Sequence, residues 1–181
     1  MKNLFKIVAL TILIIGTGSV LVYSMLVLPF FTFWSILLFS VVGWFLIELK
    51  TNWNDRTGIK KALLIGLFLM IFDFAYENFG FYLGLWRSFY SLFFVLHVPV
   101  EMLGVTFLGG TAWGLFLPKK FSKMYSAFDI LLFSTVGACG EFLLLKANIM
   151  TYLGGWTSLY AFFSYMATWT ILHILRYKIL K

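Results

Sequence analysis

The sequence predicts an all-α integral membrane protein with six transmembrane helices and both termini in the cytoplasm. Three observations predict this fold class: the composition, the spacing of long apolar segments, and the distribution of Lys and Arg along the chain. Of the 181 residues, 62% are hydrophobic and 12% are charged, whereas soluble domains carry about 25% charged residues. The mean hydropathy is +0.96. A single domain covering residues 1–181 is expected at this length.

The first apolar segment follows Lys2 and Lys6 and runs from about Leu4 to Leu26, where Pro29 ends it. A signal peptide has an apolar core of about 7–15 residues followed by a cleavage site with small residues. This segment is longer than such a core, and no A-x-A-like site follows it. We therefore expect the first membrane helix here, and a cleaved signal peptide is the less favoured alternative.

Five further segments are long enough to cross a membrane, which takes about 20 mostly apolar residues. They cover about residues 30–49, 62–83, 90–117, 128–149 and 158–175. The segment over 90–117 is longer than one span needs. We therefore expect either a kink at Pro99 or an interfacial piece that precedes the membrane helix.

The basic residues fall almost entirely on one side of these six segments. With the N-terminus inside, twelve of the fourteen Lys and Arg residues lie on the inner side. They are Lys2, Lys6, Lys50, Arg56, Lys60, Lys61, Lys119, Lys120, Lys123, Arg176, Lys178 and Lys181; Arg87 and Lys146 lie outside. Cytoplasmic loops carry such an excess. The net charge of +7 therefore indicates orientation in the cell membrane and not a nucleic-acid partner.

The chain contains an internal repeat. Residues 82–93 and 152–163 match at seven of twelve positions, with the common pattern YLGxWxSxY. Each copy lies between an outgoing and a returning helix, so residues 62–117 and 128–175 are predicted to be two copies of one helix pair. The aromatic belt at a membrane surface explains aromatic residues but not their repeated register. Repeats in membrane folds often enclose a site at their junction.

Five ionisable residues lie inside apolar sequence: Asp73, Glu77, His97, Glu101 and Glu141. The first two are four residues apart, as are the next two, so each pair is expected to share a helical face. Counting along the helices places all five between the middle and the outer third of the bilayer. Charge at that depth is costly and often marks a functional pathway. A protonated carboxyl group there can donate or relay a proton; the alternative is that these groups satisfy one another structurally.

No metal or cofactor site is predicted. The sequence has no H-x-x-x-H or H-E-x-x-H motif, no cysteine cluster and no Gly-rich phosphate loop. The glycines at positions 110 and 114 are expected to allow close helix packing. Glu48 and Asp129 are expected to be solvated near the inner helix ends, and His173 is expected to lie at the interface.

A family resemblance rests on Gly84-Leu-Trp86 followed by His97-Val-Pro-Val-Glu101. This pattern resembles the small membrane lycopene cyclases of the bacterial heterodimeric and archaeal type. The resemblance covers about residues 73–117 together with the repeat. It implies a duplicated set of membrane helices and an enzyme that cyclises the ends of a linear carotenoid by protonating a terminal double bond.

This sequence departs from the family pattern in two places. Paired acids typically follow the proline, but here Met102 follows Glu101, and the second repeat has no Pro-x-Glu. The resemblance therefore extends to Glu101 and Trp86 alone, and an enzyme acting on another isoprenoid, or an inactive relative, fits it as well.

We predict a membrane enzyme that acts on a lipid-soluble isoprenoid or carotenoid. Glu101 or Glu77 would be the general acid, and His97 would hold Glu101. Asp73 and Glu141 would tune the charge of the site or stabilise a carbocation. No cofactor is expected, and the expected partners are membrane lipid and the substrate itself.

The predicted substrate-binding residues are mostly aromatic. Trp86, Tyr90 and Phe93 would line the pocket and present their ring faces to a cation. Asn78 and Arg87 would orient a polar head; alternatively, Asn78 bonds between helices and Arg87 reaches the outer headgroups. Two other classes of function remain open: a small proton-coupled transporter with the acids as a relay, and a non-catalytic membrane subunit. Homo-oligomers and hetero-oligomers both remain open.

Overall fold

A computed structural model describes the backbone of residues 2–27 and 31–180, and the side chains of residues 4–19 and 33–180. The described chain is mostly helical (76%) with six helices. These are α1 Lys2–Val27, α2 Phe31–Thr51, α3 Arg56–Tyr82, α4 Val100–Phe116, α5 Lys123–Lys146 and α6 Ser158–Ile174, and α6 continues as a π-helix over Leu175–Ile179. The expected break at Pro29 and the expected helix start at Phe30 lie outside the described residues.

Three helical segments are long and apolar enough to cross a membrane. They are Phe33–Thr51, Lys123–Lys146 and Ser158–Ile179. Two shorter apolar helical segments cover Leu4–Ser19 and Val100–Phe116. The prediction of a helical chain with membrane-length apolar helices is confirmed to this extent, while the count of six spans and the orientation stay predictions.

Four short strands form two antiparallel pairs. They are β1 Trp86–Ser88, β2 Phe94–Val95, β3 Val98–Pro99 and β4 Met150–Tyr152. Strand β1 pairs with β4, and β2 pairs with β3. The chain divides into two compact units: Met1–Ala75 with Tyr90–Leu117, called unit 1, and Tyr76–Phe89 with Pro118–Lys181, called unit 2.

In unit 1, small residues bring α3 and α4 into close contact. A Cβ atom at Gly66 would lie 2.1 Å from the Thr111 hydroxyl, and one at Gly114 would lie 3.1 Å from the Ala62 Cα atom. Gly110 packs in the same way, with its Cβ position 3.1 Å from the Gly66 Cα atom. The expectation that Gly110 and Gly114 allow close helix packing is therefore confirmed.

An ion pair is buried between α1 and α2 in unit 1. Lys6 Nζ lies 2.7 Å from Glu48 Oε2, and Glu48 is fully buried. The same ammonium group lies 4.9 Å from the centre of the Phe116 ring on α4. The expectation that Glu48 is solvated was therefore wrong, because α1 supplies a cation that accompanies the carboxylate into the interior.

The fourth helix is shorter than the sequence predicted. Helix α4 begins at Val100, directly after Pro99, whose φ of −55° and ψ of 130° are not helical. Pro99 has no N–H group and disfavours helical geometry in the residue before it. Residues 90–99 instead form a loop and the β2–β3 hairpin, with positive φ angles at Tyr90 and Leu96. A helix over 90–117 was therefore wrong, and a separate piece precedes α4; the interfacial position expected for that piece stays a prediction.

In unit 2, α5 and α6 pack together and β1 pairs with β4. Helix α5 begins five residues earlier than expected, because the Ser122 hydroxyl accepts a hydrogen bond from Tyr125 N and caps it. In the strand pair, Trp86 lies opposite Tyr152 and Ser88 lies opposite Met150.

The two repeated turns meet within unit 2. Gly84 and Gly154 occupy matching repeat positions, and both have a left-handed backbone, with φ of +66° and +55°. Leu153 N donates a hydrogen bond to Leu85 O at 2.7 Å. The likeness of the two copies ends there, since β1 follows its glycine and β4 precedes its own. Duplication of the whole helix pair therefore stays a prediction.

Candidate functional site

The first part of the candidate site lies at the end of α3. Trp86 Nε1 donates a hydrogen bond to Glu77 Oε2 at 3.0 Å. The indole ring is buried against α3 at Gly80, where a Cβ atom would lie 2.0 Å from the ring. Glu77 and Gly80 are three residues apart and therefore share a helical face. Because Gly80 has no side chain, the Trp86 indole packs directly against α3 and can bond the Glu77 carboxyl group.

The second part of the site lies between α5 and α6. Tyr165 OH donates a hydrogen bond to Glu141 Oε1 at 2.8 Å, and Tyr152 OH donates one to Glu141 Oε2. Gly137 lies one turn before Glu141, and a Cβ atom there would lie 2.9 Å from the Tyr165 ring. Burial and the adjacent carboxyl group raise the pKa of the Tyr152 hydroxyl well above its usual range, so it remains a hydrogen-bond donor.

The β1–β4 pair joins these two parts. Trp86, which bonds Glu77, lies opposite Tyr152, which bonds Glu141. The two carboxyl groups consequently lie within range of each other's charge. We call this group the acid–aromatic site. Its members are Glu77, Glu141, Trp86, Tyr152, Tyr165, Trp156 and Tyr76.

Aromatic rings surround the acids of this site. The Trp86 ring centre lies 4.7 Å from that of Trp156 and 5.1 Å from that of Tyr76. Tyr160 packs on the outer side of Trp156 at 5.7 Å. Carboxyl groups donate and accept protons, and the faces of indole and phenol rings attract cations. The site therefore combines groups suited to proton transfer with groups suited to stabilising positive charge.

The structure gives Glu101 a different setting, in unit 1. It lies in the first turn of α4 and is 2% exposed. One carboxylate oxygen accepts a hydrogen bond from Leu92 N at 2.9 Å, and the other accepts one from the Ser91 hydroxyl. A carboxylate is also favoured at a helix N-terminus. These contacts describe an anchor for the loop before α4, so the role of general acid that the resemblance implies for Glu101 stays a prediction.

The expectation that His97 and Glu101 share a helical face was wrong. His97 lies in the turn between β2 and β3, outside α4, because the helix begins only after Pro99. Tyr90 and Phe93 lie in the loop that precedes the hairpin and are 47% and 58% exposed. They therefore present large apolar surfaces outward.

Two of the remaining predicted residues, Asp73 and Asn78, lie within α3, and Arg87 lies in β1. Asp73 is partly buried in unit 1, and Asn78 is buried in unit 2 next to Glu77. Arg87 is exposed, and its guanidinium group lies 5.7 Å from the Phe81 ring and 5.5 Å from the Phe89 ring. Of the ten predicted site residues, the acid–aromatic site brings together Glu77, Glu141 and Trp86.

Sequence reasoning missed four aromatic members of the site: Tyr76, Tyr152, Trp156 and Tyr165. Tyr152 and Trp156 belong to the second repeat, so the repeat itself was the signal that pointed to them. Tyr165 carries no such signal, because an aromatic residue in an apolar helix is common. Its role emerges only from the packing of α6 against Gly137.

A buried pair of ionisable residues was also missed. Asp129 Oδ2 lies 2.9 Å from His173 Nε2, and both residues are buried. The expectations that Asp129 is solvated and His173 interfacial were wrong, because each residue is the other's partner. The signal was their similar distance from the start of the predicted segment 128–149 and the end of the predicted segment 158–175, which an antiparallel pair of helices brings to one level.

No group of three or more His, Cys, Asp and Glu residues that could hold a metal ion lies within the described part of the chain. The chain matches no protein-family model, no curated protein and no solved structure.

Proposed function

We propose that this chain is a membrane enzyme in which Glu77 and Glu141 transfer protons to and from a lipid-soluble isoprenoid substrate. The observation that carries the proposal is the meeting of two carboxyl groups from α3 and α5 among aromatic rings within unit 2. Ionisable groups at membrane depth are rare and commonly functional.

The membrane setting proposed here is six spans with both termini in the cytoplasm. Three helices have the length and apolar character of spans. Helix α4 has 17 residues, which gives about 25 Å at 1.5 Å per residue and lies at the lower limit for a span. The distribution of Lys and Arg supports the orientation.

The proposed chemistry needs no cofactor and is redox-neutral. Glu77 would add its proton to a carbon–carbon double bond of the substrate, leaving a carboxylate on Glu77 and a carbocation on the substrate. The ring faces of Trp86 and Trp156 would stabilise that cation. Glu141, held through both oxygens by Tyr152 and Tyr165, would then remove a proton from a neighbouring carbon. The substrate would be isomerised or cyclised with no net gain of protons.

End-group cyclisation of a carotenoid is the specific reaction that the family resemblance favours. Trp86 belongs both to the motif that carries the resemblance and to the acid–aromatic site. The proton donor proposed here is Glu77 and not Glu101, because the described contacts of Glu101 hold the loop at Ser91 and Leu92.

The test is mass spectrometry of lipids extracted from the purified protein. Wild type would be compared with Glu77→Gln and Glu141→Gln. The control is Asp55→Asn, because Asp55 accepts a hydrogen bond from Gly58 N at the start of α3 and asparagine caps helices equally well. We expect a cyclised isoprenoid with wild type and the control, and a yield lower by about 100-fold or more in both glutamine variants. Bulk phospholipid alone in every sample would contradict the proposal.

A proton-coupled transporter is the second candidate function. The observation that favours it is the buried Asp129–His173 pair, which the enzyme mechanism leaves unused. Turnover distinguishes the two functions, because an enzyme converts an isoprenoid into an isomerised or cyclised product without any proton gradient, whereas a transporter leaves the molecule that it carries chemically unchanged.

A further inference from the structure

The contact surface between α5 and α6 is regular along its length. Asp129 meets His173, the Phe133 ring lies 4.7 Å from the Trp169 ring, and Gly137 contacts Tyr165. From one contact to the next, the residue number rises by four on α5 and falls by four on α6, and four residues make about one helical turn. The two helices therefore form one continuous antiparallel contact surface, which we call the α5–α6 seam.

The seam contains ionisable groups at both ends. Glu141 bonds Tyr165 at one end, and Asp129 pairs with His173 at the other. Asp129 and Glu141 are twelve residues apart, or about 18 Å along α5. Two ionisable positions are unusual in one apolar helix, because charge at membrane depth is costly and commonly marks a functional pathway.

The buried residues of α5 are mostly polar, and Ser134 is the one that lies between Asp129 and Glu141. Three of the helix's four buried residues are Ser126, Asp129 and Ser134, and only Leu144 is apolar. The Ser134 hydroxyl donates a hydrogen bond to Ile130 O at 2.6 Å, which leaves its oxygen able to accept another. The Ser126 hydroxyl is buried with no hydrogen-bond partner among the described residues and lies one turn before Asp129. Helix α6 adds the hydroxyl groups of Ser164 and Thr168.

Further contacts surround the Asp129–His173 pair. The His173 ring stacks on the Tyr177 ring with centres 5.8 Å apart, and Tyr177 OH donates a hydrogen bond to Pro118 O at 2.9 Å. Tyr177 belongs to the π-helix that follows His173, and π-helical turns occur frequently at functional sites. The cationic residues at this end of the unit are Lys119, Lys120, Lys123, Arg176 and Lys178.

We propose that the α5–α6 seam is a proton path that connects Glu141 with the Asp129–His173 pair. This inference rests on the proton-handling role proposed above for Glu141. A proton would leave the Glu141 carboxyl group, which becomes a carboxylate. It would travel through the hydroxyl groups of Tyr165, Thr168 and Ser134 and through water, and would convert His173 to an imidazolium ion opposite the Asp129 carboxylate. One proton and no electron moves in each transfer.

The middle of the seam suits protons and excludes larger ions. The packed rings of Phe133 and Trp169 occupy the level between the two ends, and the hydroxyl-bearing residues Ser134 and Thr168 are their neighbours along α5 and α6. A hydrated metal ion needs an open channel, but a proton needs only a chain of hydrogen-bonding groups. In the enzyme proposed above, such a path would carry away the proton that Glu141 takes from the substrate, and Glu77 would regain its own proton from water before the next turnover.

The test is proton flux in proteoliposomes that contain the full chain. A pH-sensitive dye inside the vesicles reports flux after a potassium diffusion potential is applied with valinomycin. Wild type would be compared with Asp129→Asn, His173→Gln and Glu141→Gln, and Asp55→Asn would serve as the control. We expect each of the three variants to lower the flux at least tenfold, and the control to match wild type.

A second variant separates proton transfer from simple loss of structure. The double variant Asp129→Asn with His173→Gln keeps a hydrogen bond between two neutral side chains but cannot bind a proton. We expect it to melt within a few degrees of wild type and still to lack flux. Wild-type flux equal to that of protein-free vesicles, or normal flux in the double variant, would overturn the inference. Loss of isoprenoid product in Glu141→Gln, combined with normal flux in the Asp129 and His173 variants, would overturn the path and leave the proposed enzyme intact.

Discussion

Glu101 and Glu141 show how neighbouring groups decide the use of a carboxyl group. Glu101 accepts hydrogen bonds from a backbone N–H group and a serine hydroxyl in the loop just before its own helix. Glu141 accepts hydrogen bonds from two tyrosine hydroxyls, one on β4 and one on α6. Local partners fix a loop, whereas partners from distant segments assemble a site. The sequence shows both glutamates in similar apolar surroundings and cannot distinguish these settings.

The acid–aromatic site depends on the absence of a side chain at Gly80. We expect Gly80→Ala to displace the Trp86 ring, because the added Cβ atom would lie 2.0 Å from it. Overpacking of this kind costs about 1–3 kcal/mol. The measurement is thermal unfolding in detergent, together with Trp fluorescence.

The matched control for Gly80 is Gly140→Ala. Within the described part of the chain, no atom of another element lies within 4 Å of the position that its Cβ atom would take. Alanine is favoured over glycine in a helix by about 1 kcal/mol, so this variant should be as stable as wild type or more so. Equal stability of the two variants would contradict the packing described for Trp86.

The hydroxyl group of Tyr165 has a separate role from its ring. We expect Tyr165→Phe to lower the free energy of unfolding by about 1 kcal/mol, because Glu141 Oε1 loses its 2.8 Å hydrogen bond. The formation of cyclised product should fall as well. Tyr160→Phe is the control, since Tyr160 is exposed and contacts Trp156 through its ring; an equal loss in both variants would argue against a special role for Glu141.

At the scale of elements, the structure depends on where helices begin. Residues 90–99 are apolar enough to read as helix, yet Pro99 stops the helical hydrogen bonding and the Glu101 carboxylate holds the preceding loop. Composition predicted five helices to within a few residues at most ends, with α3 and α5 starting five to six residues early. It failed at α4 because hydropathy measures burial in lipid and carries no information about backbone hydrogen bonding.

The loop before α4 offers a direct test of this anchor. We expect Glu101→Gln to increase amide hydrogen exchange at Leu92 and its neighbours, because the variant weakens the 2.9 Å bond to Leu92 N. The buried end of α4 from Gly110 to Leu115 should keep its protection. Hydrogen exchange followed by mass spectrometry measures both segments in one sample. Unchanged exchange in the loop would show that its conformation is held by other contacts.

The candidate site also contains some residues that the sequence predicts and others that only the packing of the helices reveals. The acids Glu77 and Glu141 were predictable, because ionisable residues in apolar membrane helices are rare and commonly functional. Their partners were not all predictable, since Tyr165 reaches Glu141 only through the packing of α6 against Gly137. The Asp129–His173 pair was missed because each residue, taken alone, lies near a helix end where water is expected.

At the scale of the whole molecule, the account places a basic face toward the cytoplasm. Cys139 is the single cysteine, so replacing it with serine gives a background for labelling. We expect Lys120→Cys to react with a membrane-impermeant thiol reagent only after the membrane is opened. Leu153→Cys, in the turn between α5 and α6, should react from outside in intact cells. Labelling of both positions from the same side would contradict the six-span orientation.

The central claim is that Glu77 delivers a proton to a carbon atom of an isoprenoid. The most direct measurement is deuterium incorporation, with the full chain in lipid nanodiscs, a linear carotenoid as the probe and D₂O as the solvent. A carboxyl proton exchanges with the solvent, so the cyclised product should gain one deuterium with wild type, and Glu77→Gln should form no labelled product. Product that contains no deuterium, or equal labelling in the Glu77→Gln variant, would contradict the account.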